Sequence, residues 1–192
     1  MSMTAAILAG GENKRFPYNK AFIEVNGKRL IERTIDTLKS IFDSVVISTN
    51  EPESYFYLGL PMIGDVVNER GPMTGIFSVL SYIKEDVFFM ACDMPFINKG
   101  LLNGIISKGG SVIPVFDGLP QPLVGRYSYK AAGRMLKNIE EGKKGLRDFL
   151  KEADVVYMDE AETRAIDPEG LSFVNINTID DYNKYLKAEK EV

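Results

Sequence analysis

Short apolar runs alternate along this chain with stretches in which apolar residues recur every three or four positions, and this alternation limits the possible folds most tightly. The runs are Thr4–Leu8, Ser44–Ser48, Val87–Ala91, 110–114 and 173–176. They are rich in Val, Ile and Phe and apolar on both faces, as in strands that helices cover on each side. Between them, 30–41 carries Leu30, Ile31, Thr34, Ile35, Leu38 and Ile41 at helical spacing, and 74–83, Lys99–Ser107, 131–140 and 180–188 behave alike. Strand and helix in alternation predict an α/β fold: a single three-layer, Rossmann-like domain whose mostly parallel sheet has helices on both faces and right-handed crossovers. In that architecture ligands bind beyond the carboxyl ends of the strands, so residues just after each strand are the candidates for function.

A length of 192 residues accommodates one domain over 1–192. Residues 111–127 are interrupted by Pro114, Pro120 and Pro122 and are expected to form an irregular excursion along one wall of a cleft, on the acceptor side. The charged end, 187–192, is expected to fray. One cysteine, Cys92, excludes an intrachain disulfide and fits a reducing compartment. The first residues lack the basic and long apolar regions of a signal peptide, and no apolar run reaches membrane-spanning length. A cytoplasmic protein without membrane contact is expected.

The absence of histidine removes the commonest general base and the serine and cysteine mechanisms that depend on it. With a single cysteine besides, a tetrahedral zinc site has too few ligands, so a catalytic metal has to be a hard ion held by carboxylates. A net charge of −4 argues against a nucleic-acid partner.

The loop after the first run is the richest in chemistry. Leu8 and Ala9 lead into Gly10 and Gly11, and Arg15 and Lys20 follow. Paired glycines turn the backbone sharply and present bare N–H groups to an anion, while a guanidinium and an ammonium add charge. No Gly-Lys-Ser/Thr follows, so this is not a Walker loop. A lone Gly-Gly more often marks a simple turn; the preceding strand and two following cations favour a phosphate cradle. Asp93 follows the Val87–Ala91 run and is placed to hold Mg²⁺ beside a triphosphate, or else to serve as a turn or cap residue. Asn50 and Asp65 also follow strand candidates, where each can read a base edge or ribose, or form a turn. Segment 69–75 introduces a helix whose N-terminus can face an anion.

These residues, taken in order, resemble a known family. The Leu-Ala-Gly-Gly at 8–11 with Arg15 and Lys20, Gly-Pro-Met-Thr-Gly-Ile at 71–76, Cys-Asp-Met-Pro-Phe at 92–96, Gln-Pro-Leu at 121–123, Gly-Leu-Arg-Asp-Phe-Leu at 145–150 and Phe-Val-Asn-Ile-Asn-Thr at 173–178 are similar to those of the molybdenum cofactor guanylyltransferases. The opening motif is common to many nucleotidyltransferases; the ordered set is far more specific and runs through nearly the whole chain. Gly10 and the 71–75 segment match the guanine branch, because related cytidylyltransferases usually carry alanine at the first position and lack the second. The loop departs from the family at Phe16, Pro17 and Asn19, and Pro17 cannot donate an N–H.

The resemblance implies transfer of GMP from Mg-GTP to the phosphate of molybdopterin or the molybdenum cofactor, with release of pyrophosphate. It further implies that Leu8, Ala9, Gly10 and Gly11 line the nucleotide site, Lys20 contacts phosphate, Asn50 and Asp65 hold the nucleoside, and Asp93 binds the metal. Arg15, Lys20 and Asp93 form the expected catalytic set, and Gln121, Arg126 and Arg147 are candidates for the acceptor side. Expected partners are GTP, the pterin cofactor, and other cofactor-assembly proteins or recipient molybdoenzymes. Cytidylyl transfer to the same pterin, nucleotidyl transfer to a sugar phosphate or phospholactate, and a non-catalytic GTP-binding delivery adaptor are the competing readings.

Overall fold

The computed structural model describes residues 3–10, 20–25, 27–143 and 145–189. Strands β1 (Thr4–Leu8), β4 (Ser44–Ser48), β5 (Met62–Ile63) and β6 (Val87–Ala91) run parallel, and β2 (Glu24–Val25) and β3 (Lys28–Arg29) form a separate ribbon. Helix α1 (Leu30–Lys39) leads into β4, α2 (Pro72–Ile83) joins β5 to β6, and α3 (Lys99–Ser107) follows β6. The second half supplies β7 (Ser111–Phe116), β8 (Leu119–Pro120), β9 (Val124–Tyr127), α4 (Ala132–Glu140), α5 (Leu146–Glu152), β10 (Val155–Met158), α6 (Glu160–Ile166) and α7 (Ile179–Glu189). The main sheet has the order β10-β7-β9-β6-β1-β4-β5, with β9 antiparallel to both its neighbours.

The period-two geometry of the strands divides the interior into two cores. Ala5, Ile7, Val45, Ile47, Phe88 and Met90 face α1 and α3, while Ala6, Leu8, Val46, Val87 and Phe89 face α2, α4 and α5. Because both faces are buried, these strands read as unbroken apolar runs. Helix α1 buries Leu30, Ile31, Thr34, Ile35 and Leu38, five of the six residues whose spacing marked it. Helix α2 starts at Pro72, two residues earlier than expected: Pro72 suits a first helical position, and Gly71 adopts φ 147°, open essentially to glycine alone.

Two expectations need correction. Residues 111–127 are regular: β7 and β8 form a hairpin on Asp117 and Gly118, with φ 51° and 68°, and β9 returns through the sheet. An Asp-Gly pair in this conformation suits a two-residue hairpin, and Pro120 sits on a short edge strand where no ladder N–H is needed. The 173–176 run is not a strand. A short 3-10 turn covers Leu171–Phe173, and the following residues cross the carboxyl end of the sheet instead of lying alongside it. Ile176 is fully buried there with Leu30, Phe96 and Tyr182. Helix α7 continues to Glu189, and residues 190–192 of the expected frayed end fall outside the described residues.

Candidate active site

The central ladder continues beyond the strand ends and aligns three loops. Ala9 N–H donates to Ser48 O at 2.9 Å, Cys92 N–H to Leu8 O at 3.2 Å, and Thr49 N–H to Ile63 O at 3.0 Å. The loops after β1, β4 and β6 therefore lie side by side and open onto a cleft of about 520 Å³. Leu8, Ala9 and Gly10 form its floor; Asn50, Asp65 and Asp93 stand on its walls, and Gly71, Pro72 and Gly75 bring in the N-terminus of α2. Such an end gathers unpaired N–H groups and positive potential, suited to an anion. A Cβ on Gly75 would lie 2.9 Å from Ser48 Oγ and 3.4 Å from Leu8 Cδ2, so a bare glycine lets α2 approach the floor this closely.

Asn50 and Asp65 form one unit. Asn50 Nδ2 donates to Asp65 Oδ2 at 2.6 Å, and Asp65 N–H donates to Asn50 Oδ1 at 2.7 Å. Ser78 Oγ accepts from Val66 N–H at 3.0 Å and ties the same loop to α2. Asp93 is half-buried at the end of β6, and its main-chain carbonyl accepts from Ile176 N–H at 2.8 Å. Tyr55, 1% exposed, donates its hydroxyl to Ala9 O at 3.2 Å and packs its ring 5.2 Å from that of Phe22.

Thus Leu8, Ala9, Gly10, Asn50, Asp65 and Asp93 share one cleft. Gly11 and Arg15 lie outside the described residues. The backbone of Lys20 opens a 3-10 turn, Lys20–Phe22, whose Ala21 is buried in the core that contains Tyr55. The acceptor candidates are placed differently. Arg126 sits at the opposite end of the sheet, paired with Phe88; it donates to Asp86 at 2.8 Å and to the carbonyls of Ile106 and Lys108. It closes the far rim, since β9 runs backwards and carries residues after Leu123 away from the cleft. Gln121 holds the hairpin through Nε2 bonds to the carbonyls of Phe116 and Leu119, while Leu123 reaches the cleft. Arg147 is exposed in the first turn of α5 and is not among the described residues that line the cleft. Ser48, Thr49 and Glu51 also line the cleft, as does Arg70 from the 69–75 segment. A glycine within a helical pattern, as at Gly75, and an arginine directly before Gly-Pro were the sequence signals for the α2 side of it.

A mostly parallel sheet with glycines and a carboxylate gathered at its carboxyl rim fits a nucleotidyltransferase. The chain belongs to the MobA-like NTP transferase domain family, which matches residues 5–157. It is 36% identical over 194 residues to a probable molybdenum cofactor guanylyltransferase of Clostridium perfringens, covering 97% of this chain and 98% of the relative. It is 33% identical over 195 residues to the molybdenum cofactor guanylyltransferase of Desulfosudis oleivorans, covering 98% and 96%. The crystal structure of molybdopterin-guanine dinucleotide biosynthesis protein A from Archaeoglobus fulgidus superimposes with a TM-score of 0.82 at 26% identity, covering 99% of this chain and all of that one.

Proposed function

We infer that this chain transfers GMP from GTP to the terminal phosphate of molybdopterin or its molybdenum-bearing form, yielding the guanine dinucleotide and pyrophosphate. The observation that carries the inference is the meeting of Gly10, the Asn50–Asp65 pair and Asp93 around one cleft at the carboxyl rim, in a chain whose full-length relatives bear guanylyltransferase names.

Mg²⁺ fits the donor set. Asp93 offers a hard oxygen ligand on the wall of the cleft. That suits an ion which takes few protein carboxylates and completes its shell with phosphate and water, rather than one needing a full protein cage. Bound there, it supplies positive charge to the triphosphate. The chain's own groups do the rest. Gly10 N–H and the α2 N-terminus meet the phosphates, Asn50 and Asp65 orient the nucleoside, and Arg15 and Lys20 neutralise charge on the leaving group. An ionised oxygen of the acceptor phosphate attacks the α-phosphorus in line; the bond from that phosphorus to the α–β bridging oxygen breaks, and pyrophosphate departs with its electron pair. The nucleophile is already deprotonated, so a chain without histidine needs no general base.

The reaction occupies one domain spanning 1–192. A cytoplasmic setting and handover to cofactor-assembly proteins or recipient molybdoenzymes belong to the same reading, and no described helix is long and apolar enough to cross a membrane. The test is to supply molybdopterin, Mg²⁺ and each of GTP, CTP, ATP and UTP in turn, and to measure dinucleotide and pyrophosphate. GTP alone should support rapid turnover. Preference for CTP would move the chain to cytidylyl transfer, and GTP binding without pyrophosphate would make it a carrier.

A further inference from the structure

We propose that Tyr55 is a positioning residue for the nucleotide phosphates, acting through the Ala9–Gly10 peptide. Ala9 is clamped at both ends: its N–H donates to Ser48 O at 2.9 Å, and its carbonyl accepts from the Tyr55 hydroxyl at 3.2 Å. A trans peptide points its N–H opposite to its carbonyl. Tyr55 lies in the core on the α1 and α3 face, whereas the cleft is walled by α2 on the other face. Drawing the Ala9 carbonyl toward Tyr55 therefore turns the Gly10 N–H to the cleft side. Among the described residues, a Cβ on Gly10 would meet nothing within 4 Å, so no packed side chain crowds this glycine. The Tyr55 ring is anchored by burial and by Phe22, which fixes the hydroxyl from which the peptide takes its direction.

The proposal rests on the nucleotidyl-transfer reading and adds a prediction separate from it. Tyr55→Phe keeps the ring and removes only the hydroxyl. Titration calorimetry with Mg²⁺ should show GTP affinity falling about five- to tenfold, the range expected for one lost hydrogen bond of this kind, while guanosine affinity stays within about twofold. A general loosening of the fold would weaken both ligands together. Tyr57→Phe, which alters an exposed neighbour, should bind both as the wild type does. A second measurement needs no variant: in wild-type protein labelled with ¹⁵N-glycine, the Gly10 amide should shift with GTP and stay in place with guanosine. Equal loss of GTP and guanosine binding in Tyr55→Phe, unchanged GTP binding, or a Gly10 amide insensitive to GTP would each overturn the positioning role and leave the transferase reading intact. A wild-type chain that binds no GTP would overturn both.

Discussion

If Asn50 serves the nucleoside only by holding Asp65, removing both residues should do no more harm than removing Asp65 alone. The Asn50 carboxamide is engaged with Asp65 at both its heavy atoms, at 2.6 and 2.7 Å, the first bond going to a carboxylate. A hydrogen bond to a charged group contributes about 1.5–3 kcal/mol, and exposure of Asn50 at the rim brings this toward about 1–1.5 kcal/mol. Asn50→Ala should then weaken GTP binding roughly tenfold. Asp65→Ala removes the acceptor itself and should cost about 2–3 kcal/mol, or roughly a hundredfold. For independent contacts the double variant would lose the sum; for Asn50 acting through Asp65 it should match Asp65→Ala within about 0.5 kcal/mol. Calorimetric titration of GTP into the four proteins gives the coupling energy directly. An additive cycle would mean that Asn50 touches the nucleotide itself, and the division of labour drawn from the two bonds would be wrong.

Asp93→Ala should lower kcat by roughly two to three orders of magnitude, as the loss of a principal electrostatic stabiliser does; near-normal steady-state turnover at saturating Mg²⁺ would remove Asp93 from the metal role. Gly170→Ala should destabilise the fold by about 2–5 kcal/mol, combining a left-handed backbone at φ 65° with a Cβ set 2.3 Å from Phe116 Cζ, beneath a ring that Arg164 covers at 4.1 Å. Melting should fall by roughly 5–15 °C, and a shift under about 2 °C would refute the steric account. Burial pushes the Asp86 carboxyl up, but hydrogen bonds from the Arg126 guanidinium, the Tyr129 N–H and the Ser128 hydroxyl outweigh it and hold the group below its usual range. A depressed carboxyl stabilises the fold above its unfolded pKa, about 3.9, and that share is lost as pH falls through the lower folded value. The stability gap between wild type and Asp86→Asn should therefore be constant near neutrality and narrow below about pH 4 in denaturant titrations. A gap that persists undiminished to the lowest pH reached would detach the effect from Asp86.

The central strands and their helices were legible because burial on both faces writes unbroken apolar runs, and α1 was marked by nearly the residues it buries. The 173–176 run was misleading for a related reason. Alternation of Phe173, Val174 and Ile176 with Asn175 records which side chains are buried, not whether a ladder partner is present, and Ile176 is buried by crossing the strand ends. In 111–127 the prolines drew attention, although Asp117-Gly118 carried the more informative hairpin signal. The gathering of Gly10, Asn50, Asp65 and Asp93 around one cleft was legible because each follows a strand and an α/β sheet brings strand ends together. The same logic gave no hold on Arg126: reversal of β9 is a tertiary event, and it sends that residue to the far rim, where Asp86 and two carbonyls engage it.

The bond from Ile176 N–H to Asp93 O bears on how the enzyme comes into being. During synthesis the N-terminal half can pair its strands early, because their partners emerge within a short span of chain. The loop that carries the carboxylate gains its Ile176 partner only after α6 and the turn that follows it have been made. Until Ile176 has emerged, the loop that carries Asp93 lacks this main-chain tie, so this side of the cleft is completed later than the strands beneath it.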